Sequence, residues 1–401
     1  MTSSSDLTIL LALKDRVAFT ARWMAYAETV RLPFRVLIAD GGTDDRAKAL
    51  LADPRAFPHV DYQYVRYEPD RNYATDYWAK LADALSLVRT PFTALADNDD
   101  LFVANGVEQA VRFLADHPDY AACGGQCAVF WVTGDRDNGN GACYGRHVHW
   151  KCTRDRQSLD HGTACDRMRH HSRRATHPAY YHVRRTGQFQ AHVVAVRDAG
   201  LHDVFLIERL LLWLTAITGK VRQLDTLYLA RQWNAPGSAG RAQEATYGDW
   251  FGRMLVPTWS RDFERFLDVV GAALAARDHI SSDEARRVII DVYRRFLAPN
   301  LLGDLVGLPT ATRPISMVAR IVRRLLSRPS DTPLRRVARA IYRRTPWVAA
   351  GAVFGTELRT RRVPNADAAL RPIREFLTVG APAVATETAS YRVPEAPREH
   401  V

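Results

Sequence analysis

The stretch Phe92-Thr93-Ala94-Leu95-Ala96-Asp97-Asn98-Asp99-Asp100-Leu101-Phe102 decides the fold. Five uncharged residues make a short buried strand, and the chain then passes directly into a polar run with three carboxylates. A strand covered on both faces lacks the apolar/polar alternation of a half-exposed one, and this is the habit of a parallel sheet between helices. Such a sheet gathers its ligand groups at the carboxyl ends of its strands. Just upstream, Trp78, Leu81, Ala82, Leu85 and Val88 form one helical face that Thr90-Pro91 ends. Further upstream, strands are predicted at Leu7–Leu13, Arg35–Ala39 and Tyr62–Tyr67, with a helix from about Val17 to Val30. Downstream, Val107, Ala110, Val111 and Leu114 mark another helix, stopped by His117-Pro118. Alternation of this kind predicts an α/β fold, a mostly parallel sheet flanked by helices.

Beyond that core the pattern changes. From about 133 to 177 the chain is rich in Gly, Asp, Arg, Cys and His, which predicts an irregular insertion or lid. Regularity returns with a strand at Ala179–Val183, an apolar helix at Val204–Thr218 and a strand near Gln223–Tyr228, and the core is expected to close around Arg231. The expected organisation is therefore an α/β domain over 1–240, a helical Arg-rich region over 241–365 and a tail over 366–401.

The chain has 401 residues, 47% of them hydrophobic, enough for a large core with room for an appendage. Its formal charge of +11 comes almost entirely from arginine and points to anionic partners. Residues Met1 to Asp6 show no basic n-region or cleavage site, and no apolar run reaches the roughly 18 residues of a membrane span. Five cysteines, an odd number, suit reduced thiols in a cytosol better than a disulfide framework. A cytoplasmic location is expected. Cys143, His147, His149, Cys152, His161, Cys165, His170 and His171 crowd the insertion, but their spacing fits no standard zinc finger or ribbon.

Asp97 and Asp99, one residue apart at a strand tip and followed by Asp100, can share a hard divalent cation such as Mg²⁺ or Mn²⁺. The alternative is a solvated acidic turn capping the next helix. Asp40, before Gly41-Gly42, either contacts a ligand or closes the turn with its own side chain. Arg16 and Lys80 either meet phosphates or are solvated helix residues.

Taken in order, Leu13-Lys14-Asp15-Arg16, Val36-Leu37-Ile38-Ala39-Asp40-Gly41-Gly42-Thr43, Lys80, Thr90-Pro91-Phe92 and Ala96-Asp97-Asn98-Asp99-Asp100-Leu101-Phe102 resemble a family 2-like glycosyltransferase of the GT-A type. The branch is that of small bacterial and archaeal glycosyltransferase-domain proteins. The resemblance runs on through Phe113-Leu114, His117-Pro118-Asp119-Tyr120 and Gly124-Gly125, and covers roughly Leu7 to Arg231. Each motif is modest; their order and spacing are more specific. The resemblance implies a Rossmann-like nucleotide-binding half and a nucleotide-sugar donor held by Asp15, Arg16, Asp40, Gly41, Lys80, Asp97 and Arg231. It also implies Mn²⁺ or Mg²⁺ on Asp97, Asp99 and Asp100, where the ion would offset charge on the departing diphosphate. An inverting transfer needs a base near the acceptor hydroxyl, and relatives supply it from a carboxylate at the start of a helix after the sheet. Glu208 is the first candidate and Asp203 the second; the alternative is that Glu208 pairs with arginines on a helix surface. The chain departs from the pattern in reading Asp-Gly-Gly-Thr where many relatives have Asp-Gly-Ser, and in the Asn98 that interrupts the acidic run.

Between Arg313 and Arg344 ten arginines stand against one acid, Asp331; Ile315, Val318, Val322, Leu325 and Leu326 make one apolar stripe, Leu334, Val337, Ala338 and Ile341 a second, and the arginines take the other faces. Such helices either lie on an anionic leaflet, suiting a lipid-linked acceptor, or pack on the core with their arginines in water. Two rival functions are weaker. A sugar-nucleotide nucleotidyltransferase opens with a Gly-rich phosphate loop, and Leu7–Val17 has no glycine. A nucleic-acid binder would interleave aromatics with its basic residues, which this chain does not do, so no nucleic-acid partner is expected.

Overall fold

The computed structural model describes residues 6–135, 143–152, 158–171, 178–233, 235, 250–305, 363 and 365–379. Its described strands are β1 (Leu7–Leu13), β2 (Arg35–Asp40), β3 (Tyr62–Arg66), β4 (Phe92–Ala96), β5 (Leu101–Phe102), β6 (Tyr120–Asp135), β7 (Gly145–Cys152), β8 (Val183–Arg185) and β9 (Lys220–Gln232). They form one mixed sheet in the order β3-β2-β1-β4-β8-β6-β9-β5, with β7 paired to β6. The predicted parallel character holds over β3-β2-β1-β4. Past β4 it gives way: β8 runs antiparallel to both β4 and β6, β7 to β6 and β5 to β9, while β6 and β9 are parallel. The reversal follows from chain length. β8 has three residues, just enough to bridge the five-residue β4 and the long β6, and β6 and β7 form an antiparallel pair that sequence periodicity did not resolve.

Two local expectations are corrected. The span 178–181 is a single 3-10 turn rather than a strand, and β8 begins only at Val183. The span 133–177, expected to be irregular, contributes β7 and the helix α5 (Ala164–His171). β7 alternates charged or imidazole side chains with Val148, Trp150 and Cys152, a weak period-2 signal hidden among polar residues.

The other helices are α1 (Val17–Thr29), α2 (Asp45–Leu51), α3 (Trp78–Leu87), α4 (Ala104–Asp116), α6 (Thr186–Ala199), α7 (Val204–Thr218), α8 (Trp250–Met254), α9 (Pro257–Asp278), α10 (Ser282–Leu305) and α11 (Ala366–Val379). α7 is apolar apart from Glu208, Arg209, Thr215 and Thr218, as a helix packed on most faces must be. Its amino end is capped by the Asp203 carboxylate, which accepts from Leu206 N at 3.0 Å. Its carboxyl end is closed by the buried Arg167 of α5, which donates to Ala216 O at 2.6 Å and Ile217 O at 2.9 Å, placing a cation at the negative end of the helix. α9 and α10 join the same core through Trp213, Phe266 and Tyr293. α11 docks with Phe376 against Tyr26 and Tyr144. Among the described residues no helix is long and apolar enough to cross a membrane. The Arg-rich stripes of 313–344 lie outside the described residues.

Candidate active site

The acidic run sits where the sequence puts it, immediately beyond β4, and α1 and β9 hold it there. Carboxylate oxygens of Asp97, Asp99 and Asp100 lie within 4.8 Å of one another, and among the described residues this is the one cluster that could hold a metal ion. Each acid is met differently. Asp97 Oδ2 accepts from the Tyr181 hydroxyl at 2.5 Å. Asp99 Oδ2 lies 3.0 Å from Arg16 Nη2. Asp100 has both oxygens engaged, by Arg231 Nε at 3.0 Å and by the Gln232 backbone N–H at 3.1 Å. α1 pins the run through one side chain and one carbonyl as well. Thr20 Oγ1 accepts from Asn98 Nδ2 at 3.1 Å, and Arg22 donates to Asp99 O at 2.9 Å.

Crowding shows in the acid strengths. Burial, then repulsion from Asp99, raises Asp97 above the usual carboxylate range. Burial pushes Asp100 up to about 7, against the pull of Arg231. These residues fit a hard divalent ion: the donors are all carboxylate oxygens, close together and short of positive charge. Asp97 and Asp99 are better placed to hold it than Asp100, whose oxygens are already bonded.

Glu208, in the first turns of α7, lies within electrostatic reach of Asp97. Burial, followed by the charge of Asp97, pushes its carboxyl up to about 7, with Arg231 and Arg209 acting in the opposite sense. Its charge in turn raises the Tyr73 and Tyr180 hydroxyls, which burial has already raised. Asp203 stands apart in role. It caps α7 and pairs with the buried Arg253 at 3.1 Å, so its carboxylate is committed to holding the helix. The two candidates for the base are therefore unequal in the structure.

On the other side of β1 the remaining predicted residues close on themselves. Asp40 is fully buried; its Oδ1 accepts from Gly42 N at 2.8 Å, which realises the turn-closing alternative. Its Oδ2 accepts from the Tyr64 hydroxyl at 2.8 Å and from Arg66 at 2.6 Å. Asp15 Oδ1 ties the β1–α1 loop to the β2–α2 loop through Thr43 N at 2.6 Å and Asp44 N at 3.1 Å. Lys80, expected as a solvated or phosphate-contacting residue, is instead buried in an ion pair with Asp70 and donates to Leu13 O at 2.7 Å. Gly41 lies against that pair, and a Cβ there would overlap the Asp70 carboxylate. Lys80 thus ties α3 to Asp70 and to the end of β1.

Sequence reasoning missed Tyr181, Arg22 and the aromatic group of Tyr73, Tyr77 and Tyr180. Arg22 had a signal, since it falls on the apolar face of α1 with Phe19, Trp23 and Tyr26. The tyrosines had none, because Tyr73 and Tyr77 lie in a π-helical turn and Tyr180 and Tyr181 in the misread 3-10 turn.

No family model matches the chain, and no curated protein matches it. Among solved structures it is similar to S. aureus TarS residues 1–349 in complex with UDP-GlcNAc, at 13% identity and a TM-score of 0.44, over 88% of this chain and 93% of that one. It is also similar to the mannosyltransferase PcManGT from Pyrobaculum calidifontis in complex with GDP-Man and Mn²⁺, at 14% identity and a TM-score of 0.38, over 89% and 90%. Against a longer TarS chain the TM-score is 0.42 at 13% identity; the match covers 84% of this chain but spans only about half, 53%, of that one. Likenesses this loose leave the function to be read from the chain's own residues.

Proposed function

We propose that this protein is a metal-dependent glycosyltransferase that moves a sugar from a nucleotide-sugar donor to an acceptor hydroxyl with inversion. The observation that carries the reading is the Asp97–Asp99–Asp100 cluster with Glu208 within its electrostatic reach, an acid pushed up to about 7. A carboxylate with that affinity for protons is matched to general-base work at physiological pH. Glu208 takes the proton of the acceptor hydroxyl as that oxygen bonds to the anomeric carbon. The bond from the same carbon to the diphosphate oxygen breaks, and the electron pair leaves with the nucleotide. Asp97 and Asp99 would hold Mn²⁺ or Mg²⁺, which supplies positive charge to the leaving diphosphate. Arg231, on Asp100 and over the Tyr181 ring at 4.7 Å, keeps the acid run and the aromatic wall in register. On this reading the donor nucleotide lies along the carboxyl edge of β1 and β2, between the Asp15 and Asp40 loops. The acceptor stands on the α7 side. The enzyme would work in the cytoplasm, with 313–344 bringing it to the anionic inner face of the membrane if its acceptor is lipid-linked.

The test is thermal stability of the full chain with UDP, GDP, dTDP and CDP, each with Mn²⁺ and again with EDTA, repeated in Asp99→Ala. A ligand of the folded state raises the melting temperature. One nucleotide should stabilise only with metal, and Asp99→Ala should abolish the effect. Equal stabilisation in EDTA, or none from any nucleotide, would remove the metal-dependent donor site.

A further inference from the structure

We propose that Arg16 is a resident counter-ion of the acidic tip. It holds Asp99 until a divalent cation takes that carboxylate, and it then passes to the donor diphosphate. The inference rests on the donor-site reading above and adds an exchange that the reading does not require.

Two arginines of the α1 region touch Asp99, in different ways. Arg22 is fully buried and donates to three acceptors: Asp99 O at 2.9 Å, Cys143 O at 3.0 Å and Gln232 Oε1 at 2.5 Å. All three are carbonyl oxygens, so Arg22 fixes the course of the backbone and leaves the Asp99 carboxylate free. Arg16 touches the carboxylate itself. Its Nη2 is 3.0 Å from Oδ2, yet the N–H groups are not aimed at it, and both Nε and Nη2 are buried without a hydrogen-bond partner. This is a contact of charge without the aligned, bidentate fit that makes an arginine–carboxylate pair strong. The Arg16 side chain keeps 23% exposure, so it has a way out.

The backbone presents it deliberately. Asp15 and Arg16 are consecutive left-handed residues, with φ of 54° and 57°, and neither is glycine. That conformation is strained for a residue other than glycine and survives where neighbours enforce it. Here Asp15 is anchored to Thr43 and Asp44, and the Arg16 carbonyl starts α1 by accepting from Phe19 N at 2.9 Å. The strained pair therefore points Arg16 between the Asp15 loop and the acid run. Both guanidinium groups also lie over the Phe19 ring, at 4.5 Å for Arg16 and 4.8 Å for Arg22. Two cations on one ring repel each other, and since Arg22 is fixed by three bonds, Arg16 is the one able to move.

A cation entering at Asp99 has to displace a guanidinium, so metal alone binds poorly. Diphosphate offers Arg16 new oxygens, so metal and nucleotide bind better together than apart, each raising the affinity of the other by the same factor. Arg16 thereby offsets part of the charge of the acid run in the ligand-free protein.

The experiment measures Mn²⁺ binding to the full-length chain by electron paramagnetic resonance of the free ion. It is run without nucleotide and with a saturating amount of whichever nucleoside diphosphate stabilises the wild type. The variants are Arg16→Asn and Arg16→Gly, because both residues accept a left-handed backbone; their thermal transitions check that they fold. Removing a cation beside the ion should raise Mn²⁺ affinity without nucleotide by about tenfold, and should erase most of the tightening that nucleotide gives the wild type. Unchanged or weaker Mn²⁺ binding in both folded variants would overturn the exchange while leaving the donor site standing. A wild type with no metal-dependent nucleotide binding would overturn the donor-site reading and the inference together.

Discussion

Two clusters of acid and base lie along the same edge of the sheet, and they are built to opposite rules. Beside β1 and β2, each buried carboxylate meets its own cation: Asp70 meets Lys80, and Asp40 meets Arg66. Beside β4, Asp97, Asp99, Asp100 and Glu208 outnumber the well-aligned cations, and burial leaves three of them with raised proton affinity. The first cluster is paired one cation to one acid, although burial raises Asp70 against the pull of Lys80 and leaves its Oδ1 without a hydrogen bond; these pairs hold two loops in place. The second is left short of charge, which is the condition under which a site takes up an ion or a proton. α7 repeats the contrast within two turns, since Asp203 caps the helix and pairs with Arg253 while Glu208 has neither role.

The largest expected effect is in the under-satisfied cluster. Glu208→Gln removes the base and should lower kcat by about 10²–10⁴ with little change in KM for the donor. In the wild type, kcat should rise with pH through about 7, as the Glu208 carboxyl ionises, and the variant should lose that limb. Stability should move the other way. The folded-state value lies above that of an unperturbed glutamate, so the Glu208 contribution is full below the ordinary carboxylate range and is lost as pH rises through about 7. Glu208→Gln should therefore melt higher than wild type at pH 8 and close to it at pH 4. A variant that keeps its rate and pH limb would break the contrast on the α7 side.

Next comes the sealed cluster. Lys80→Met leaves the Asp70 carboxylate buried without its partner, which typically costs about 3–5 kcal/mol. Urea unfolding should show that loss as a lower midpoint at an unchanged slope. A midpoint within experimental scatter of wild type would mean that the pair is not the lock proposed for the Leu13 and Gly41 loops.

The smallest effect sharpens the comparison along α7. Asn is as good a helix cap as Asp, so Asp203→Asn keeps the bond to Leu206 N and should change kcat by less than about twofold. Steady-state kinetics beside Glu208→Gln would decide the assignment. A loss on the scale of the Glu208 variant would transfer the base to Asp203.

How much of this was legible depends on the range of the interaction. Sequence alone was enough for β1, β4 and α7, whose bounds match their apolar runs, and for the Asp97–Asp100 tip, because burial and strand ends are local properties of a chain that must cover its apolar residues. It also brought Glu208 into consideration. It could not separate Glu208 from Asp203, find Tyr181, or see that Lys80 is spent on Asp70, since those outcomes depend on partners between 10 and 84 residues away. The antiparallel half of the sheet was hidden for a similar reason: a three-residue strand carries too little pattern to announce its direction, and pairing with β4 and β6 decides it. Periodicity along a chain records which side of an element is covered. Which charge meets which is settled only when distant segments come within a few ångströms, because electrostatic preference in a buried site is set by the neighbours that replace water.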